Sequence, residues 1–175
     1  MNAASHSAPP LVVMGVSGVG KTTIGQELAR RQGTRFVDAD DLHGPENIAK
    51  MSAGIPLVDD DRWPWLDRVG AVLAAEPGVV MACSALRRVY RDRLRANAPA
   101  TLFVHLAAAP ERVAAQAAAR EDHFMPPALL RSQIATLEPL DEDEPGITVI
   151  VDAGPDDLVD RILGLLAGER ERSEK

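Results

Sequence analysis

The sequence of 175 residues is poor in cysteine and in aromatic side chains. Its single cysteine, Cys83, excludes a disulfide within the chain, which fits a reducing compartment such as the cytoplasm. Aromatic residues make up only 3% of the chain, so the core has to be built from aliphatic side chains. Hydrophobic residues reach 46% in total, which is enough for one compact domain without covalent cross-links.

Positive charge is scarce relative to negative charge, because 26 acidic residues outweigh 19 basic ones and give a net charge of −7. Such a chain repels nucleic acid over most of its surface, so any phosphate group must be held locally. Apolar runs fall short of the roughly 18 residues that a membrane-spanning helix needs. We therefore expect neither a nucleic-acid partner nor a membrane. The acidic runs 59–61 and 141–144 are expected to be solvated loop residues.

Linkers and repeats are also absent from the sequence, so we expect a single domain over residues 11–168. Residues 1–10 lack the basic and then apolar pattern of a signal peptide and are expected to form a disordered tail. Residues 169–175 are expected to form a second tail.

Short apolar runs alternate with helical stretches along the chain. The predicted strands are residues 11–14, 35–37, 78–85, 101–106 and 146–152. Strands separated by helices indicate an α/β fold, with a parallel sheet and helices on both faces. Ligands of such sheets bind at the carboxyl ends of the strands, which places residues 15–22, 38–43 and 83–91 around one crevice.

The stretch "GVSGVGKT" between the first strand and the first helix satisfies the pattern GxxxxGK[ST]. Glycine lets such a loop turn tightly and bring its N–H groups close to phosphate oxygens, while lysine neutralises their charge. A glycine-rich turn at an ordinary helix is the alternative. The predicted nucleotide-binding residues are Gly15, Val16, Ser17, Gly18, Val19, Gly20, Lys21, Thr22 and Thr23. The loop alone does not distinguish a kinase from a switch or a motor.

Carboxylates follow the second predicted strand in "FVDADD". Asp38 and Asp40 lie two residues apart, so in extended chain both point the same way. One can hold a magnesium-bound water while the other accepts the proton of an acceptor hydroxyl, as in a small-molecule kinase. A polar loop with an N-cap aspartate is the alternative. His43, in the same loop, is a candidate for binding the acceptor.

Basic residues crowd the helix after the third strand. Arg87, Arg88 and Arg91 lie nearest the crevice, and they fit either an anionic acceptor or an amphipathic surface helix. Arg120 closes a helix before the interruption "EDHFMPP", which also carries His123. A mobile segment of this kind can complete a phosphoryl-transfer site and exclude water. Cys83 and His105 are expected to be structural residues.

Four blocks of sequence together resemble the small P-loop gluconokinases, which are relatives of shikimate kinase. The blocks are "MGVSGVGKTT", "FVDADDLHGPENIAKMSAGIPLVDDDRWPWL", "CSALRRVYRDRLR" and "AAAREDHFMPPALLRSQIATLEPL". The resemblance runs from about Leu11 to Leu140. It implies a three-layer P-loop fold with a five-stranded parallel sheet in the order 2-3-1-4-5. It also implies an acceptor-binding segment at about 44–65 and a short lid at about 120–128.

The resemblance further implies ATP-dependent phosphorylation of D-gluconate at its 6-hydroxyl with Mg²⁺, by a cytoplasmic homodimer. Lys21, Asp40 and Arg120 would be catalytic, while Thr22 and Asp38 would support the metal. The implied acceptor-binding residues are Asp40, His43, Lys50, Arg62, Arg87, Arg91 and His123. An acidic pair precedes His123 where a basic residue is common in the family. A kinase for another hydroxy acid and a nucleotide switch without turnover are the rival predictions.

Overall fold

The computed structural model describes residues 8–119 and 127–173. In chain order the strands are β1 (Leu11–Met14), β2 (Phe36–Asp38), β3 (Val80–Ala82), β4 (Leu102–Ala107) and β5 (Gly146–Ile150). The helices are α1 (Lys21–Gln32), α2 (Pro45–Ser52), α3 (Asp59–Ala75), α4 (Arg88–Asn97), α5 (Pro110–Ala118), α6 (Pro127–Thr136) and α7 (Pro155–Ser173). A short 3₁₀ turn, Ala39–Leu42, follows β2.

The five strands form one sheet in the order β2-β3-β1-β4-β5, and every pair is parallel. This confirms the predicted α/β class and strand order. The register sets Val12 opposite Met81 on one side and Phe103 on the other. β1 is central and fully buried, as its continuous apolar run requires of a strand covered on both faces. All strands end at the same edge of the sheet, where the loop after β1 and the 3₁₀ turn after β2 meet.

Aliphatic side chains on the two faces of the sheet form two cores. On one face, alternate residues of β1 and β4 pack against α1 and α7, through side chains such as Leu28 and Ile162. On the other face, Met14 and Phe103 pack against α3 and α4, through side chains such as Leu66 and Leu94. The rigid sheet edge therefore carries its loops between two packed layers of helices.

Both ends of the predicted domain need correction. Pro10 is buried, and its carbonyl accepts a 3.0 Å hydrogen bond from the Leu102 N–H, so the chain already lies along the sheet before Leu11. At the other end, α7 continues to Ser173, past the expected boundary at residue 168. In the described part of the chain, every helix is too short or too polar to cross a bilayer.

Candidate active site

The glycine-rich loop joins β1 to α1 and turns back under positive φ angles. Gly15 has φ 143°, and a Cβ atom there would lie 2.9 Å from the Leu106 carbonyl oxygen, so a side chain would push the loop off β4. Gly20, with φ 107°, precedes the first turn of α1, whose free N–H groups and positive dipole end open towards the loop. The Lys21 ammonium donates to the Val16 carbonyl at 3.0 Å. The structure thus brings the predicted loop residues together at the N-terminus of α1, where an anion would be favoured.

Asp38 links this loop to the next strand. The Thr22 hydroxyl donates to Asp38 Oδ2 at 3.3 Å, while Asp38 Oδ1 accepts the Asp40 N–H at 3.0 Å. A hydroxyl and a carboxylate at a helix N-terminus are oxygen ligands of the kind that Mg²⁺ takes, together with phosphate oxygens. The donor set therefore fits magnesium, and Thr22 and Asp38 can hold it.

Asp40 stands on the 3₁₀ turn, with 85% of its side chain exposed. The backbone of that turn is tied down from α3. The buried Trp65 indole N–H donates to the Ala39 carbonyl at 2.7 Å, and Arg68 Nε donates to the Leu42 carbonyl at 2.8 Å. The Asp40 carboxylate is therefore presented by a fixed backbone and remains accessible.

His43 is built into the support of the same turn. Its ring stacks on Trp65 with 4.3 Å between centroids, and Nδ1 lies 3.2 Å from the Asn47 amide nitrogen. Burial, helped by the charges of Arg68 and Arg62, lowers the pKa of His43 to about 4. The imidazole is thus neutral near pH 7. His43 cannot serve as a cation for an acid, and its ring chiefly supports the Asp40 turn.

The side of the crevice that is expected to bind the acceptor is organised around Tyr90, on α4. The Tyr90 hydroxyl donates to Asp59 at 2.5 Å, and Arg87 donates to the other oxygen of Asp59 at 2.9 Å. The guanidinium groups of Arg87 and Arg62 each lie 5.5 Å from the centre of the Tyr90 ring. The hydrogen bond from Tyr90 and the charges of both arginines hold the pKa of Asp59 below its usual range. Two arginines therefore meet at the start of α3.

Lys50, on α2, joins the same segment by a second ion pair. Its ammonium lies 2.6 Å from Asp61 Oδ1, and 40% of its side chain remains exposed. The hydrogen bond from Lys50 is the main reason why the pKa of Asp61 is lowered. The Asn47 amide donates to the Asp61 carbonyl at 2.9 Å, which fixes α2 against the start of α3. The expected acceptor-binding segment 44–65 thus carries Lys50 and Arg62 on two tied helices.

Arg91 does not belong to the crevice, contrary to the sequence prediction. Its side chain is 0% exposed and forms a two-pronged ion pair with Glu144, at 2.6 and 2.8 Å. Its remaining donors reach the carbonyls of Ala85, Glu138 and Pro139. The acidic run 141–144 is correspondingly not all solvated: Glu144 is 6% exposed. Arg91 is an internal brace between α4 and the segment that follows α6.

Cys83 and His105 are structural, as expected. Burial raises the pKa of the Cys83 thiol to about 12, so it carries no thiolate. The nearby charges of Asp40 and Asp38 also raise the pKa of this thiol, and that of Lys21 opposes them. His105 is 3% exposed within β4, and its two ring nitrogens have no hydrogen-bond partner among the described residues.

Arg120, His123 and most of the expected lid at 120–128 lie outside the described residues.

The sequence analysis missed three residues that contribute to the site, Trp65, Tyr90 and Gln133. The side chain of Gln133 accepts a hydrogen bond from the Ser17 N–H. Tyr90, the only tyrosine, stands on a basic helix, and Gln133 interrupts an apolar helical face. These two sequence features could have identified Tyr90 and Gln133.

Comparisons with known proteins place this site in a class. A family model described as an AAA domain matches residues 11–140. Shikimate kinase from Aquifex aeolicus has the same fold, with a TM-score of 0.59 at 15% identity over 92% of this chain and 98% of that one. A phosphate-binding loop beside two carboxylates on this sheet defines a P-loop kinase for small molecules.

Closer relatives define the particular family. The gluconokinase of Gluconobacter oxydans is 46% identical over 157 residues, which cover 87% of this chain and 88% of the relative. The crystal structure of a gluconokinase from Sinorhizobium meliloti superposes with a TM-score of 0.87 at 43% identity, covering 95% of this chain and 97% of that one. The chain belongs to the gluconokinase family.

Proposed function

We propose that the chain transfers the γ-phosphoryl group of ATP to the 6-hydroxyl of D-gluconate, giving 6-phospho-D-gluconate and ADP. One observation carries the proposal: the Asp38–Asp40 pair stands directly beside a complete phosphate-binding loop, with Thr22 bonded to Asp38. The identity of the acceptor is supported by relatives named gluconokinase, including one that is 46% identical to this chain.

On the nucleotide side, the phosphates are bound by backbone N–H groups of the loop and of the first turn of α1 other than those of Gly15, Ser17 and Val19, which donate within the protein. Lys21 neutralises the charge that builds up on the transferred group. Thr22 and Asp38 would hold Mg²⁺, which would neutralise phosphate charge when bound.

On the acceptor side, Asp40 receives the proton of the attacking hydroxyl. The hydroxyl oxygen forms a bond to the γ-phosphorus, and the bond from that phosphorus to the bridging oxygen breaks. The bond pair leaves with ADP, and the proton ends on the Asp40 carboxylate. The fixed backbone of the 3₁₀ turn suits this role because positioning governs phosphoryl transfer.

The gluconate carboxylate and hydroxyls are bound by Lys50, Arg62 and Arg87. In the structure these cations already form ion pairs, Lys50 with Asp61 and both arginines with Asp59. The acceptor carboxylate therefore binds Arg62 and Arg87 at the position where both now pair with Asp59. We further propose, as the family resemblance implies, that Arg120 acts on the transferred phosphate and that His123 binds the acceptor. A homodimer in the cytoplasm is also proposed, as the family resemblance implies, and light scattering on the purified chain tests the oligomeric state.

The function is tested by following ADP release with a panel of acceptors. We expect rapid, magnesium-dependent turnover with D-gluconate, and little with shikimate, other aldonates or nucleoside monophosphates. Turnover with shikimate in preference to gluconate would identify shikimate as the acceptor instead. ATP binding without turnover on any acceptor would favour the rival prediction, a nucleotide switch without turnover.

A further inference from the structure

Tyr90 is a buried link between α3 and α4, the two helices at whose starts the paired arginines stand. Its side chain belongs to the core between these helices and is only 5% exposed. The Trp63 ring packs edge-on against it, with 5.8 Å between the ring centroids. A buried hydroxyl costs free energy unless it finds a hydrogen-bond partner. Phenylalanine would fill the same space without that cost, so packing alone does not account for the hydroxyl.

The Tyr90 hydroxyl is bonded to charged side chains in the first turn of α3. It donates to Asp59 Oδ1 at 2.5 Å and accepts a longer hydrogen bond from Arg62 Nη1 at 3.4 Å. Arg62 also lies 3.6 Å from the same carboxylate oxygen. One hydroxyl on α4 thus fixes both an anion and a cation at the start of α3.

The Tyr90 ring contacts both arginines of the crevice. The guanidinium carbons of Arg62 and Arg87 each lie 5.5 Å from its centre, within the range of a cation–π attraction. Arg87 also donates to the second oxygen of Asp59 at 2.9 Å. The arginine side chains nevertheless remain 31% and 36% exposed. One ring and one carboxylate therefore determine where two accessible cations stand.

We propose that Tyr90 is a positioning residue for the acceptor: through its ring and its bond to Asp59, it holds the two arginines so that both reach one carboxylate. The inference rests on the proposed kinase function and adds how its acceptor is received. When the acceptor carboxylate replaces Asp59 on the arginines, the Tyr90 hydroxyl still donates to Asp59, so the displaced anion keeps a partner. Without that hydroxyl, Asp59 depends on the arginines alone and competes with the acceptor for them.

The first test removes the hydroxyl and keeps the ring. In Tyr90→Phe we expect the KM for gluconate to rise about three- to ten-fold, as for the loss of one hydrogen bond. The kcat and the KM for ATP should be unchanged, because Asp40 and the phosphate loop are untouched. Leu94→Val, in the same core one turn further along α4, is the matched control. It removes packing but no polar contact, so it should lower the urea midpoint and leave the KM for gluconate unchanged.

The outcomes of this test separate positioning from packing. An unchanged KM for gluconate in Tyr90→Phe, or an equal rise in Leu94→Val, would overturn the proposal. A double-mutant cycle then asks whether Tyr90 acts through the arginines. Adding Tyr90→Phe to Arg87→Gln should raise the KM less than Tyr90→Phe does in the parent protein, because one of the two positioned groups is already gone. Fully additive effects on the KM would contradict the proposal.

A second readout needs no turnover. The hydrogen bond from Tyr90 is the first cause of the lowered pKa of Asp59, so this pKa should rise in Tyr90→Phe. Carbon NMR of the carboxyl groups, on the full chain without substrates, measures it. The pKa of Asp67, which pairs with Arg93 across the same two helices, should stay where it is. An unchanged pKa of Asp59 would overturn the proposal. If the parent protein does not phosphorylate gluconate, this titration still decides the link from Tyr90 to Asp59, so the two failures are distinguishable.

Discussion

The two sides of the crevice are built by different means. On the proposed nucleotide side stands a glycine-rich backbone with positive φ angles, with Lys21 as the added cation. On the proposed acceptor side stand long charged side chains that hold one another in place through Asp59 and Asp61. A backbone site is fixed by a short motif, whereas a side-chain site depends on which distant elements meet.

Two arginines four residues apart, Arg87 and Arg91, also differ sharply in their surroundings. Arg87 keeps 36% of its side chain exposed and pairs with Asp59, whereas Arg91, four residues later, is fully buried with Glu144. Both have the same chemistry and lie close to the same strand end. Burial and the choice of partner separate a candidate binding group from a structural one.

The largest expected effect is at Asp40. Asp40→Asn keeps the shape of the side chain and removes the proton acceptor, so kcat should fall about 10²- to 10⁴-fold. ATP affinity, measured by calorimetry, should be nearly unchanged because the phosphate loop is intact. Asp41→Asn, in the same exposed turn, is the control and should retain activity. Equal losses of kcat and ATP affinity in Asp40→Asn would assign Asp40 to the metal instead.

Lys21 tests the nucleotide side in the same way. Lys21→Ala removes the cation that stabilises charge on the transferred group, and kcat should fall by about 10²- to 10³-fold. The circular dichroism spectrum should be unchanged, since the fold at this position depends on glycine backbone rather than on the lysine. Near-normal turnover would contradict the assignment of the loop to the triphosphate.

Glu144 tests the internal brace. Glu144→Gln leaves the Arg91 charge buried without its counter-ion and should lower the free energy of unfolding by about 3–5 kcal/mol. Arg88→Gln removes exposed ion pairs with Asp141 and Asp143 in the same region, which water screens, and should change the free energy of unfolding far less. Urea unfolding measures both. Similar small losses in the two variants would show that the buried pair adds little.

Arg87 should separate binding from stability. In Arg87→Gln the KM for gluconate should rise about ten-fold, as expected for loss of one charged hydrogen bond. Stability should change little, because the side chain is partly exposed. Arg93→Gln, which removes an exposed pair with Asp67 on the same helix, is the control and should leave the KM unchanged. A loss of stability without a change in KM would place Arg87 with Arg91 as a brace.

The smallest expected effect is a dependence of stability on pH at His43. The folded protein lowers the pKa of His43 from 6.5 to about 4, so the unfolded chain binds more protons between these values. The contribution of the neutral ring is therefore present above pH 6.5 and is lost as the pH falls towards 4. Unfolding curves across this range should show a shallower loss in His43→Gln than in the parent protein. An identical slope would mean that the pKa of His43 is the same in the folded and the unfolded protein.

Much of the fold was predictable because its signals are local. The buried run Leu11–Met14, the glycine loop and the helix after it each lie within a few residues of sequence. Asp38 and Asp40 were predictable for the same reason, because they lie at and just after the end of β2.

The remaining features join distant parts of the chain. Arg91 and Glu144 are 53 positions apart, and Ser17 and Gln133 are 116 apart. Charge patterning alone could not tell Arg91 from Arg87, since both stand in one basic helix. Only packing decides which guanidinium is enclosed.

Trp65 has a practical consequence beyond its support of the Asp40 turn. It is one of two tryptophans; its indole is enclosed against His43, while Trp63 meets Tyr90 edge-on beside the paired arginines. Both intrinsic fluorophores therefore lie on the proposed acceptor side of the crevice. Replacing either tryptophan with phenylalanine leaves the emission of the other, so the arrival of the acceptor can be timed in a stopped-flow instrument without any attached dye.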